Sequence, residues 1–264
     1  APRIRVEDLD PAARGALYRH LHDRLPAHVA AGVAAAAVAS PRHARVKEIL
    51  EAVEAYEVIA HRYFRGAAAP GRVFDMACGH GFVAHLVAAS HDVQVVGVDL
   101  ERRDAFDAWA TAFRAQGLAA ATCVERDLTE VALRRDDLVF AIHACDDANI
   151  VVVDHATRAG AQWLVVPCCL KADNYLDVKG DRRSSRSRTA NLADDQRYAL
   201  LCGALAAKFG ATLTSAIDHR VTRRNVVLAG GDAEAARTGG DADAAHALRP
   251  ARGRLPTFRG PHVR

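Results

Sequence analysis

The chain has 264 residues, long enough for one large α/β domain with an added helical segment and short for two full domains. Half of its residues are hydrophobic and its formal net charge is +3, which neither requires nor excludes an anionic partner. It contains no apolar run of about eighteen residues, the length that a membrane-spanning helix needs. The six cysteines lie mostly in strand-like runs, which favours a reduced, cytoplasmic protein over a disulfide scaffold.

The N-terminal segment, residues 1–66, is predicted to be helical. Its clearest part is His43–Phe64, where apolar residues recur at the spacing of one helix face. Pro70 and Gly71 then interrupt the pattern. The sequence therefore predicts a helical cap over 1–66, a main domain over 67–232 and a flexible basic tail over 233–264.

Strands and helices alternate through the main domain. The predicted strands are Arg72–Ala77, Val93–Leu100, Ala120–Leu128, Leu138–Ala144 and Ala161–Cys169, and the predicted helices are Gly81–Ser90, Arg102–Gln116, Asp147–Arg158 and Leu192–Phe209. Two further strand-like runs, Thr212–Val221 and Asn225–Leu228, have a link too short for a parallel crossover, so they must be antiparallel. This order predicts an α/β fold with a doubly wound, seven-stranded, mostly parallel sheet.

The segment VFDMACGHGFVA, residues 73–84, carries the strongest functional pattern. Asp75 ends a hydrophobic strand, and Gly79 and Gly81 form a turn that lets backbone N–H groups at a helix N-terminus approach a ligand. Asp99 closes the second strand, where a carboxylate can accept both hydroxyls of a ribose. Asp127 ends the third strand, where an acid can accept an adenine amino group. The pattern indicates an adenosine-containing cofactor.

These residues resemble motifs I and II of class I S-adenosylmethionine-dependent methyltransferases, over roughly residues 70–230. The antiparallel ending resembles the final strand pair of that fold. The resemblance implies S-adenosylmethionine as cofactor, with the acids and glycines above holding its methionine end, ribose and adenine. The implied cofactor-binding set is Asp75, Ala77, Cys78, Gly79, Gly81, Asp99, Leu100, Asp127, Leu128 and His143.

Two other interpretations of the glycine motif remain. Gly79, Gly81 and Ala84 also satisfy the dinucleotide pattern G-x-G-x-x-A. Against a dinucleotide, Asp75 would repel a pyrophosphate but attract the ammonium group of S-adenosylmethionine, and the antiparallel ending suits a methyltransferase better. The third interpretation is a purely structural strand–turn–helix.

The acceptor site is expected beyond the carboxyl ends of strands four and five, where open parallel sheets bind ligands. Strand four ends in FAIHACDDAN and strand five in VVPCCL. The resulting catalytic candidates are His143, Cys145, Asp146, Cys168 and Cys169. H-x-C together with P-C-C resembles the methyltransferase branch that contains the eukaryotic acceptor-stem tRNA 2′-O-methyltransferases, which implies an RNA substrate.

Three interpretations of this cluster stay open. His143 or Asp146 acts as a general base or orients the acceptor while the cysteines shape the pocket, and this is the preferred interpretation, with no metal. Alternatively, His143, Cys145, Cys168 and Cys169 bind zinc, although adjacent cysteines make an awkward chelate. In the third interpretation the cysteines are small buried hydrophobic residues at strand ends.

A basic run follows strand five and is expected to border the substrate entrance. Its arginines, Arg182, Arg183, Arg186 and Arg188, could grip RNA phosphates, or could form a solvated charged loop. The sequence therefore predicts a methyltransferase acting on RNA, with a small-molecule or natural-product acceptor as the alternative. A non-catalytic protein that senses the cofactor is a weaker third possibility, and no membrane partner is expected.

Overall fold

A computed structural model describes residues 4–66, 69–145, 147–171 and 189–231. Asp146, the basic run Arg182–Arg188 and the predicted tail lie outside these ranges. The helices are α1 (Pro11–Arg24), α2 (Ala27–Ala39), α3 (Val46–Tyr63), α4 (Phe82–Ser90), α5 (Asp104–Ala115), α6 (Ala148–Ala159) and α7 (Asp194–Phe209). The strands are β1 (Arg72–Met76), β2 (Gln94–Asp99), β3 (Thr122–Glu125), β4 (Asp137–Ile142), β5 (Gln162–Val166), β6 (Leu213–Ala216) and β7 (Val226–Gly230).

The seven strands form one sheet in the order β3-β2-β1-β4-β5-β7-β6. Neighbours from β3 to β5 are parallel, and β7 pairs antiparallel with both β5 and β6. This confirms the predicted α/β fold and its antiparallel ending. Because β1 lies between β2 and β4, the strand order reverses at β1 and β4, and a crevice opens beyond their carboxyl ends.

Helices cover both faces of the sheet and create two hydrophobic cores. The larger core joins α1 to α5 with one face, and the smaller core packs α6 and α7 against the other. The interior strands are buried on both faces, as their continuous apolar runs require. The helices before the sheet therefore share a core with α4 and α5.

Several strands end earlier than the sequence predicted. β4 ends at Ile142 rather than Ala144, because His143 adopts a left-handed backbone with φ of 57°. β5 ends at Val166 rather than Cys169, because Pro167 cannot donate a hydrogen bond to the sheet. The catalytic candidates thus lie on turns beyond the strands.

The remaining boundaries differ mainly at the sheet edges. β3 and β6 are the edge strands, and both are shorter than the predicted Ala120–Leu128 and Thr212–Val221. Helix α3 begins at Val46 rather than His43, because Arg45 is extended and forms an isolated antiparallel bridge with Arg5. Within the described ranges, none of the helices combines the length and apolar character that crossing a bilayer requires.

Candidate active site

The turn between β1 and α4 forms a cradle of left-handed residues. Ala77, Gly79 and Gly81 have φ values of 57°, 54° and 63°. Ala77 adopts this conformation although it favours glycine. A Cβ at Gly79 would meet no heavy atom within 4 Å, so this side of the turn is open.

Gly81 is required by packing. A Cβ on Gly81 would lie 2.1 Å from Cδ2 of Phe106, and one on Gly97 would lie 2.7 Å from Cε2 of the same ring. The ring of Phe106 is buried and fills the space that side chains at these positions would occupy. Glycine at these two positions therefore lets β2 and the start of α5 pack close to the turn between β1 and α4.

Asp99 joins the ends of β1 and β2. Its two carboxylate oxygens accept hydrogen bonds from the backbone N–H groups of Gly79 and Leu100, each at 2.9 Å. Leu100 is 72% exposed, so the side chain beside this acid is free to cover a ligand. Asp127 accepts hydrogen bonds from the backbone N–H and hydroxyl of Thr129 at 2.8 and 2.7 Å, and these lower its pKa.

Asp75 is a buried acid at the end of β1, with 4% of its surface exposed. Burial raises its pKa well above the usual range, and the nearby charge of Asp99 raises it further, while a backbone hydrogen bond at Ala84 opposes the shift. A cation beside such a carboxyl group stabilises its ionised form. The site therefore fits the ammonium group of an amino-acid ligand.

A cavity of about 340 Å³ lies beyond the carboxyl ends of β1, β4 and β5. It brings together the predicted residues Asp75, Cys78, His143 and Cys168. It also contains residues that sequence reasoning missed, from α3, the β1–α4 turn and the β6–β7 link: Lys47, Glu48, Glu51, Ala52, His80, Thr222 and Arg224. Leu100, Asp127 and Leu128 do not line it, although Asp99 contacts its glycine turn.

The side chain of His143 faces α3. Its Nε2 lies 3.4 Å from Oε1 of Glu51, and the same oxygen lies 2.6 Å from Nζ of Lys47. Burial would raise the pKa of Glu51, but the contacts with His143 and Lys47 hold it at about 2. Although Nε2 is buried, its geometry does not complete a hydrogen bond with any described atom. Glu51, which Lys47 holds in turn, thus fixes the position of the imidazole. The Nε2 atom is left without a hydrogen-bond partner among the described residues.

The three cysteines beside His143 converge at the cavity edge. Cys145 Sγ lies 3.3 Å from Cys168 Sγ and 3.8 Å from Cys169 Sγ. Cys145 and Cys169 are exposed, so the interpretation of the cysteines as buried hydrophobic residues is wrong for these two. The predicted zinc set with His143 is not formed either, because the imidazole turns to Glu51 and the thiols group without it.

A second, larger cavity of about 900 Å³ lies between α3 and the carboxyl end of β6. Arg24 enters it and forms an ion pair with Glu54 at 2.9 Å, and burial raises the pKa of both Glu54 and Glu57. It is a charged cavity.

Part of the chain matches a known protein family. Residues 44–172 match the model of a family described as a methyltransferase domain. No relative was found among curated proteins. The matched region is just under half of the chain, and it contains the β1–α4 turn, His143 and the three cysteines.

Three solved structures resemble the chain at low identity. A proposed O-methyltransferase from Nostoc punctiforme is 14% identical, covering 74% of this chain and 59% of that protein, with a TM-score of 0.42. Magnesium protoporphyrin IX methyltransferase from Synechocystis, with bound S-adenosylhomocysteine, is 16% identical, covering 81% and 91%, with a TM-score of 0.40. A tRNA (uracil-54, C5)-methyltransferase from Pyrococcus abyssi is 14% identical, covering 68% and 37%, with a TM-score of 0.39. The chain thus spans under two thirds of two of these proteins.

Proposed function

We propose that the protein transfers a methyl group from S-adenosylmethionine to a polar acceptor atom in an RNA, such as a tRNA. The observation that carries this proposal is the cavity that Asp75 and His143 share at the carboxyl ends of β1 and β4. An acid suited to the cofactor ammonium and a group suited to a hydroxyl or amine acceptor therefore face one space.

The cofactor would be held by the residues around the glycine turn. Asp75 would meet the ammonium group, and Gly79 and Gly81 would let backbone approach the methionine end. Asp99 would accept the ribose hydroxyls, because each of its oxygens has a lone pair beyond the one used for backbone N–H. Asp127 would accept the adenine amino group. Bound here, S-adenosylmethionine supplies an electrophilic methyl group.

His143 would orient the acceptor. Methyl transfer depends mainly on placing the acceptor atom in line with the methyl group, and a fixed imidazole can do this by hydrogen bonding. The contact with Glu51 holds the ring, and Lys47 holds Glu51. Asp146 remains the alternative acceptor-facing group predicted from sequence.

The choice of RNA rests on charge and on the H-x-C and P-C-C resemblance. The arginine-rich run Arg182–Arg188 follows β5 in the chain, and Cys168, just beyond the end of that strand, lines the cavity. Arginines are suited to phosphate contacts that position a nucleic acid without reading its sequence. A small-molecule acceptor is the second candidate, because a cavity of about 340 Å³ falls within the range of small-ligand sites.

The test is transfer of a radiolabelled methyl group to unfractionated tRNA. We expect incorporation by wild type, a loss of about 10²–10⁴-fold in His143→Ala, and normal S-adenosylhomocysteine binding by that variant. RNA binding should weaken steeply with salt, and the fourfold Arg→Ala variant of the basic run should have a shallower salt dependence. Equal slopes, or no RNA binding at low salt, would favour the small acceptor. Full activity of His143→Ala would move the acceptor role to Asp146.

A further inference from the structure

Three thiols from two chain segments meet at the edge of the active-site cavity. The Sγ atoms of Cys145, Cys168 and Cys169 all lie within 4.8 Å of one another. Cys145 is 3.3 Å from Cys168 and 3.8 Å from Cys169. A group of three soft donors at this spacing has the chemistry of a metal site.

The backbone explains why adjacent cysteines point the same way. In a strand, Cys168 and Cys169 would project to opposite faces. However, β5 has already ended at Val166, and the chain bends at Cys169. The left-handed turn at His143 brings Cys145 beside them, and the Cys168 thiol donates to the His143 carbonyl at 3.3 Å. The turn and the bend thus remove the difficulty that a vicinal pair poses for chelation.

We propose that Cys145, Cys168 and Cys169 form a binding site for one thiophilic d¹⁰ cation of the Zn²⁺ type. Zinc–sulfur bonds of about 2.3 Å in a tetrahedron place the sulfur atoms about 3.8 Å apart. Two of the observed separations are 3.3 and 3.8 Å and the third is within 4.8 Å, so small side-chain rotations are enough to bind the ion. Three protein ligands leave a fourth position for water or an acceptor atom.

The exposure of the thiols fits this role. Cys145 and Cys169 are exposed and Cys168 is half-buried, so an ion from solvent can reach all three. Cys168 also lines the cavity that contains His143, which places the site next to the acceptor region. Binding breaks three S–H bonds, forms three metal–sulfur bonds and releases three protons to solvent, without oxidation or reduction. The site is independent of the identity of the methyl acceptor.

The experiment is a titration of the full, reduced, chelator-treated protein with Cd²⁺ alone, followed by competition with Zn²⁺. We expect thiolate-to-metal charge-transfer absorption that saturates at one equivalent. Cys145→Ser, Cys168→Ser and Cys169→Ser should each weaken binding at least about tenfold. Cys123→Ser, a half-buried cysteine in β3, is the matched control and should bind like wild type.

Mass spectrometry after alkylation provides the second measurement. Zn²⁺ should protect these three cysteines and leave Cys123 as reactive as before. Absent charge-transfer absorption, no protection, or an equal effect of Cys123→Ser would overturn the proposal, as would a Cys145–Cys168 disulfide that persists under reduction. If Cys168→Ser fails to fold, the exposed Cys145 and Cys169 variants decide.

Binding of S-adenosylhomocysteine to the same samples separates this proposal from the proposed function. Cofactor binding without metal binding would overturn the cation site alone. Metal binding without cofactor binding would overturn the proposed function and leave the cation site standing.

Discussion

Acid should destabilise this protein through a histidine in the helix that follows the cofactor turn. His85, in α4, has no exposed surface, and burial lowers its pKa from 6.5 to about 4. Its Nδ1 accepts a hydrogen bond from the Ala121 N–H at 3.2 Å, and its Nε2 lies 3.2 Å from the Phe106 carbonyl as donor. The ring is therefore neutral, with its proton on Nε2, because a protonated Nδ1 could not accept.

The magnitude follows from the difference in proton binding between the two states. Because the folded pKa of His85 lies below the unfolded one, this stability is fully present above pH 6.5 and is lost as the pH falls towards 4. A shift of about 2.5 pKa units at 1.36 kcal/mol each corresponds to about 3 kcal/mol in the free energy of unfolding. His20, whose pKa burial also lowers to about 4, should add a similar dependence.

The assay is urea unfolding at a series of pH values between about 7.5 and 4.5. The unfolding free energy of wild type should depend on pH more steeply than that of His85→Gln. The difference in slope should correspond to the uptake of close to one proton on unfolding, because glutamine keeps a donor and an acceptor but does not titrate. His20→Gln serves as the matched control and should remove its own contribution separately. Parallel pH profiles of wild type and His85→Gln would refute the reasoning.

Further predictions concern the cofactor turn and the sheet. Asp99→Ala should weaken S-adenosylhomocysteine binding at least tenfold in calorimetry, since a charged hydrogen-bonding partner contributes roughly 1.5–3 kcal/mol; unchanged affinity in a folded variant, or tight NAD binding by wild type, would contradict the assignment. Gly81→Ala should lower the free energy of unfolding by about 2 kcal/mol or more, and Gly79→Ala should lower it by less. Both substitutions strain a left-handed residue, but only the first clashes with Phe106. Equal losses on chemical denaturation would count against this. Arg72→Ala should cost roughly 3–5 kcal/mol in the same assay, because it removes the counter-ion of the fully buried Asp137 carboxylate and leaves it only the backbone N–H of Arg134, and a loss below 1 kcal/mol would show that water reaches that acid.

The sheet and the cofactor turn were predictable because their signals are local. The short link between the last two strands requires antiparallel pairing, and β6 and β7 pair in this way. The glycine turn was predictable because a strand, two glycines and a helix start occur within a few residues. Gly79 and Gly81 have the left-handed conformations that such a turn needs.

The contribution of α3 to the site was not predictable from the sequence. Periodicity identified the helix and its apolar stripe, but it does not show which part of the helix lies over the strand ends of a later sheet. Glu51 is not among the site residues predicted from the sequence, yet it is 7% exposed and lies against His143. The signal that could have found it is its position between buried neighbours, Leu50 and Ala52, where an acid needs a partner.

The arrangement of His143 and the cysteines could not be predicted, because it depends on the conformation of single backbone residues. The sequence placed His143, Cys145 and Cys168 near one another, as the structure does. It could not show that a left-handed residue at His143 turns the imidazole towards α3 while the thiols gather separately. Such a conformation depends on tertiary packing and leaves no composition signal.

The shared core of the N-terminal helices limits how the catalytic unit can be divided or inherited. Val29, Val33 and Ala36 of α2 are completely buried, and a Cβ on Gly32 would lie 2.4 Å from the side chain of Leu118. The segment matched to the methyltransferase family, residues 44–172, starts after these helices. Expressed alone, it would expose the apolar faces of α4 and α5 to water. We therefore expect recombination between homologous genes to keep α1 and α2 together with the cofactor-binding strands.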